Sequence, residues 1–309
     1  MNRWLKLAFV SLAAVMLIAS AACGKSSSAP GALKDDLGRT IQLKSTPQRI
    51  VSLAPSNTEI LFAIGAGDKV VGVDNSSDYP AAAKTRETVG DPFPAFNLET
   101  IVSLKPDLVI AFGYGSQPPQ IVDQLQSQGI QSLVLAPKTV DDIYADITLV
   151  GKATGYEKQA AGVVADMKQR VDAVVAKTKN ASRPRVYYEM DATVPTAPWT
   201  AGPGSFTDAL IQMGGGTNIG ASGLTTAFQI STEQILKEDP QVMLLASAQY
   251  GTTVDSVKGR PGWGGLSAAK DNKIYPLSKD ISDLTDRCGP RFALGVEAIA
   301  KMIHPELFQ

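Results

Sequence analysis

The stretch Asn97–Phe112 reads "NLETIVSLKPDLVIAF", and Ser231–Ala246 reads "STEQILKEDPQVMLLA". Aligned without a gap, Glu99 falls on Glu233, Ile101 on Ile235, Pro106 on Pro240, and Leu108-Val109-Ile110 on Val242-Met243-Leu244. Each copy begins with a helix-capping residue, Asn97 or Ser231, and sets a carboxylate in the first turn. Each then breaks at a proline and ends in a short apolar run. That order predicts helix, turn and buried strand. The chain builds the same unit twice, which implies two similar lobes.

The flanking sequence extends both lobes. Upstream of the first copy, "RIVSLA" from Arg49 reads as a strand. "SNTEILFAIGAG" reads as a helix with a Ser56–Glu59 capping box and a glycine stop. "KVVGV" is a second strand. Downstream, "QIVDQLQSQG" and "QSLVLA" give helix and strand. After Pro137 the alternation stops, and two helical segments follow. The longer has Ala161, Val164, Met167, Val171 and Val174 at spacings of three and four, one apolar stripe of a strut laid across both lobes. Alternation resumes with "RPRVYYEM" and closes with "KIYPL" and the helix "RFALGVEAIAKMIHPELF". The expected class is α/β, with two lobes of mostly parallel sheet bridged by one long helix.

The 309 residues suit two domains. Hydrophobic residues make up 44%, charged residues 19%, and the net charge is −1, so the chain lacks the strong basic bias usual in a nucleic-acid binder. The N-terminus carries Arg3 and Lys6, then an apolar run from Leu7 to Ala22, shorter than the ~20 residues of a membrane span. It reads as a secretory signal ending in "SAAC". Two readings follow: a lipobox in which Cys23 is diacylated, or plain cleavage near Ala22. The expected organisation is signal peptide 1–22, lipidated N-terminus and flexible tether 23–46, N-terminal lobe 47–138, helical connector 139–182 and C-terminal lobe 183–309.

Cys288 is then the remaining cysteine, so no internal disulfide forms, and it reads either as a soft metal ligand or, standing alone, as a small buried residue. The single histidine, His304, near the end of the last helix, rules out His-cluster metal sites. There, a partly positive ring suits the helix dipole. No catalytic set emerges: "TAGPGS" lacks the ending of a phosphate loop, and G-x-S-x-G and H-E-x-x-H are missing. No catalytic residue, metal site or cofactor is expected.

Ligands of open α/β sheets sit beyond the carboxyl ends of the strands. The loops there carry Phe93, Phe96 and Tyr114 in the first lobe, and Trp199, Phe228 and Tyr250 in the second. Aromatics are only 6% of the chain, so this concentration makes them candidate ligand contacts, with loop staples as the alternative. Trp199, ringed by Pro, Thr and Gly, is the foremost; Trp263 reads as packing. "SDLTDRCGPR", taken as a strand-end loop, offers Arg287 either to a ligand or to a neighbouring Asp. Glu99 and Glu233 either answer helix dipoles alone or also meet basic residues of a two-fold partner.

The lipobox, "RIVSLAPSNTEILFAIGAGDKVVGV", "SDYP", "NLETIVSLKPDLVIAF" and the "GPR" helix together resemble the solute-binding proteins of type II ABC importers. The resemblance covers essentially the whole mature chain. It implies two Rossmann-like lobes on one helix and no enzymatic turnover. It also implies a cargo of cobalamin, ferric siderophore or haem. The likeness is strongest to the cobalamin binders. By that resemblance Glu99 and Glu233 dock onto arginines of a permease dimer carrying ATPase subunits. Trp199 and Arg287 match ligand-site positions. The protein would act as a monomer, lipid-anchored at the outer face of the cell membrane or in the periplasm, without a nucleic-acid partner. The clamp departs from the family: Ser76 replaces a Tyr, "PFPAF" replaces a Trp-bearing loop, and Ala227-Phe228 stands where a Trp is expected. A lipid-anchored enzyme and a surface adhesin are the competing readings.

Overall fold

The computed structural model describes residues 31–114 and 118–309. The signal sequence and Cys23 lie outside the described residues. The chain opens with a hairpin, β1 (Leu33–Lys34) and β2 (Thr40–Ile41), turned at Gly38, whose φ of 75° suits glycine. This corrects the expected tether. Leu33, Ile41 and Leu43 are buried, and Asp35 and Asp36 accept from the Val134 and Ala136 amides, so these residues dock on the first lobe.

The first sheet is formed by β3 (Ile50–Ser52), β4 (Val70–Val73), β5 (Glu87–Thr88), β6 (Leu108–Phe112) and β7 (Ser132–Leu135), in the order β5-β4-β3-β6-β7, all parallel. Its helices are α1 (Pro55–Ala63), α2 (Leu98–Ser103) and α3 (Gln120–Ser127). Helix α1 starts at Pro55 with Ala54 as its cap, so the expected Ser56–Glu59 capping box does not form. Proline presets the first helical φ, which moves the start upstream and frees Glu59 for another use.

Two helices follow, α4 (Val140–Thr154) and α5 (Glu157–Thr178). Thr139 and Asp142 form a capping box on α4, and Gly155 ends it with φ 78°. The two helices meet so closely at Gly151 that a Cβ there would lie 2.5 Å from the Ala160 Cβ. The buried stripe of α5 is Ala160, Met167, Val171, Val174 and Thr178; Ala161 is exposed, which corrects its first turn.

The second lobe contains β8 (Arg185–Asp191), β9 (Trp199–Ala201), α6 (Phe206–Met213), β10 (Thr217–Asn218), β11 (Ala227–Gln229), α7 (Thr232–Glu238), β12 (Val242–Leu245), α8 (Val254–Lys258), α9 (Ser267–Lys270), β13 (Ile274–Pro276), α10 (Lys279–Asp286) and α11 (Phe292–Ile303). Its sheet runs β11-β9-β8-β12-β13, with β10 on β8; β9 and β11 are antiparallel and the rest parallel. The segment expected as a strand-end loop at Asp283–Asp286 is helix α10, capped by Ser278. His304 ends α11, as its position in the sequence predicts, and its buried ring sets Nε2 3.2 Å from the Gly215 carbonyl, joining helix and loop.

One apolar cluster runs through the molecule: Ile50 and Leu61 in the first lobe, Ile147, Met167 and Val171 in the connector, Val186 and Phe292 in the second lobe. Phe292 meets Tyr144 and Phe206 at ring distances of 5.7 and 5.9 Å. Shared burial of this kind makes the lobes and connector one packed body.

Candidate ligand-binding cleft

In the first sheet the chain starts at β3, moves to β4 and β5, then crosses back to β6. That reversal leaves a crevice at the strand carboxyl ends. A cavity of about 380 Å³ lies there, lined by Leu53 and Ala54 after β3, Asp74 after β4, Asp91 and Phe93, and Tyr114 after β6. A larger cavity of about 710 Å³ is lined by Pro137 and Ile143 from the connector, Met190 at the end of β8, Pro203, Phe206 and Ala227, together with Lys138, Asp286 and Cys288. Both volumes fall within the 300–1,000 Å³ typical of small-molecule sites.

The fold unites only some of the candidate aromatics. Phe93 and Tyr114 are exposed and line the smaller cavity together. Phe96 packs into the outer core of the first lobe, and Phe228 packs on that of the second. Glycines decide the latter: Gly223 and Gly202 sit so close to the Phe228 ring that Cβ atoms there would lie 2.2 and 3.3 Å from it. Trp199 lies on the edge pair β9–β11, 44% exposed, and Tyr250 is exposed beyond β12; neither lines either cavity. Trp263 is fully buried against Tyr187.

The acids of the cleft were not visible as site residues in the sequence, although their positions just after strands or helix ends were the available signal. Burial pushes the Asp74 carboxyl up to about 6, with Asp91 adding repulsion against donors from Ser77 and Ser76. Burial likewise pushes Asp286 to about 6, although Tyr188 donates to its Oδ1 at 2.9 Å. The Cys288 thiol is pushed up to about 12 by burial and by Asp146 and Asp286, so it stays protonated and unreactive. No group of three or more His, Cys, Asp or Glu suited to a metal ion occurs among the described residues.

Arg287 is not free for a ligand. Its guanidinium spans to the first lobe, reaching Glu59 at 3.0 Å and Asp78 at 2.9 Å, with Asp283 at 3.1 Å on its own helix. Arg291 grips the same Glu59 through two bonds of 2.9 and 2.6 Å and stacks over Tyr79, 3.9 Å from the ring centre. Lys279 joins Asp78 and Asp283, each at 2.6 Å. Burial raises the Asp78 pKa, but hydrogen bonds from Lys279 and Arg287 outweigh it and hold the carboxyl down to about 2. The capping box that α1 lacks is thus exchanged for an ion-pair bridge between lobes.

Glu99 and Glu233 occupy matching places. Asn97 Oδ1 accepts from Thr100 N at 3.0 Å and Ser231 Oγ from Gln234 N at 3.1 Å, fixing both helix starts. Lys105 and Asp239, one residue before each proline, both take left-handed φ, 48° and 44°. Ile101 and Ile235 are buried beneath, and both glutamates are exposed.

The periplasmic binding protein family matches residues 50–281. The chain is 34% identical to the uncharacterized ABC transporter substrate-binding lipoprotein YvrC of Bacillus subtilis, across 96% of both chains. Its fold superposes on the periplasmic vitamin B12 binding protein of Vibrio cholerae with a TM-score of 0.70 and 28% identity, covering 85% of this chain and 99% of that one. It also superposes on the periplasmic heme-binding protein RhuT of Roseiflexus, with a TM-score of 0.73 and 26% identity, over 84% and 99% of the two chains.

Proposed function

The chain belongs to the periplasmic binding protein family and is a solute-binding protein of an ABC importer, and from that premise we propose that its cargo is a corrinoid such as cobalamin. The observation that carries this reading is the charge of the cleft. Its walls mix apolar and aromatic side chains with neutral hydroxyls, its acidic lining is Asp74, Asp91 and Asp286 against one exposed cation, Lys138, and both nearby arginines are neutralised by Glu59, Asp78 and Asp283. Such a surface favours a large neutral or cationic solute and disfavours oxyanions, haem propionates and anionic iron chelates. The likeness to a vitamin B12 binder supports the same choice.

Haem is the second reading, favoured by exposed Tyr114 and Tyr250 as phenol ligands. Against it, burial and then Asp74 and Asp91 push the Tyr114 pKa up, which opposes the phenolate that iron takes. The proposed scheme anchors the chain through lipid on Cys23, uses residues 47–138 and 183–309 as lobes on connector 139–182, and docks Glu99 and Glu233 on the permease. Trp199, exposed on the β9–β11 edge and outside both cavities, is proposed to meet the part of a large ligand that projects from the cleft.

Calorimetric titration with cyanocobalamin tests the cargo, and mass analysis of the released ligand tests for turnover. A saturable one-to-one isotherm with chemically unchanged ligand is expected. Absence of binding overturns the corrinoid reading, and a modified ligand overturns the reading as a carrier without turnover.

A further inference from the structure

The larger cavity contains one acid, Asp286, and one cation, Lys138, on a lining that joins apolar Ile143, Met190, Pro203, Phe206 and Ala227 with neutral hydroxyl side chains such as Ser205 and Thr207. Asp286 ends helix α10 and projects there. Its Oδ1 is tied back, receiving the Tyr188 hydroxyl at 2.9 Å and facing Thr285 Oγ1 at 3.5 Å. No hydrogen bond to Oδ2 occurs among the described residues, and Asp286 lines the cavity. One oxygen is thus held in place by the protein while the other has no protein donor, an arrangement that pre-orients an acceptor toward the cavity. The neighbouring guanidinium of Arg287 favours the ionised Asp286 by its charge but makes no hydrogen bond to it, being drawn to Glu59, Asp78 and Asp283.

We propose that Asp286 is a specificity-determining residue of this cavity, accepting a hydrogen bond from an amide or ammonium group on a projecting arm of the solute and rejecting the same arm as a carboxylate. The inference rests on the corrinoid reading and adds which chemical form of the corrinoid is selected. A site built to hydrogen-bond one polar group discriminates strongly against an analogue that cannot supply it. Here the analogue also brings a like charge.

The groups facing Asp286 agree with this role. Asp283, one turn back on α10, adds negative charge. Tyr188 on β8 and the Cys288 thiol are neutral. Asp146 on α4 is held protonated at neutral pH. Lys138, across the cavity, is exposed and is the lining group able to receive a carboxylate arm. Because burial pushes the Asp286 carboxyl to about 6, the discrimination weakens as pH falls from above to below that value.

The test compares an amide-armed corrinoid, dicyanocobinamide, with carboxylate-armed cobyrinic acid, by competition titration on the wild type, Asp286→Asn and Asp286→Ala. At about pH 7.5 the wild type should prefer the amide form by on the order of 100-fold. Asp286→Asn, which keeps the shape and an acceptor for Tyr188, should cut that preference at least tenfold by tightening cobyrinic acid, and should remove most of its change between about pH 7.5 and about pH 5. Asp286→Ala should weaken the amide form itself. An unchanged preference in both variants, with wild-type melting curves, overturns the proposal and leaves the corrinoid reading standing. Failure of the wild type to bind either compound overturns both.

Discussion

Asp146 is 1% exposed, and its Oδ1 has no hydrogen-bond partner among the described residues. Burial first, and then the Asp36 carboxylate beside it, push its pKa from 3.8 to about 9. The folded chain therefore holds a proton that the unfolded chain releases near 3.8. Stability from this group is complete below 3.8, declines as pH rises, and is lost once pH passes about 9. Asparagine does not ionise and still offers Asp36 a donor. Asp146→Asn should melt higher than the wild type at about pH 8, with the gap closing near pH 3.5. Equal melting temperatures at both values would contradict the assignment. The site was legible at this scale only as residue type. Aromatic rings on strand-end loops could be picked from sequence, and Phe93 and Tyr114 do line a cavity. Phe228 has the same local signature but turns inward because Gly202 and Gly223 leave room for its ring. Arg287 was ambiguous for the same reason, since its partners Glu59 and Asp78 come from the other lobe.

At the scale of elements, local signals specified most of the structure. Asn97 and Ser231 cap their helices, the prolines end them, and the apolar runs that follow become β6 and β12. Where sequence reading failed, either tertiary pairing decided or a cap went unread. The three-residue strands β9 and β11 are set by pairing with each other and with β8, and short Pro- and Gly-flanked segments carry little period of their own. Helix α10 was marked by Ser278 and Asp280 but was hidden by its charge. The matched glutamates belong to this scale because each opens a repeated element. Glu99→Ala with Glu233→Ala should leave the melting temperature and ligand affinity close to wild type, since each helix-dipole contact is worth at most about 1 kcal/mol. Binding to the permease should fall much further, because interfacial charge pairs couple by about 1.5–7 kcal/mol. A pull-down in which the double variant retains full permease binding would reduce both residues to helix starters.

For the whole molecule, the question is what holds the cleft at one width. A continuous apolar cluster joins both lobes to the connector, and Glu59, only 2% exposed at its side chain, adds a buried ionic bridge in place of the capping role expected of it. Removing one partner of such a cluster strands the other charges. Glu59→Ala should cost about 3–5 kcal/mol in urea unfolding and should weaken ligand binding per folded molecule, because Arg287 and Arg291 are then released toward the cleft. A loss below about 1 kcal/mol would show that the bridge is solvated and exchangeable. The two-lobe plan and the strut were readable from the repeat and the helical stripe. The bridge was not, since it joins residues more than two hundred positions apart.

The central claim is that this two-lobed carrier selects cargo by an apolar, acid-lined cleft whose arginines are already neutralised. Equilibrium dialysis of the purified protein against an equimolar mixture of cyanocobalamin, haemin and molybdate at about pH 7.5, with mass analysis of the retained solute, tests it most directly. The account predicts that cyanocobalamin is retained at one per protein and the two anions are washed out. Retention of haemin or molybdate in its place would contradict it.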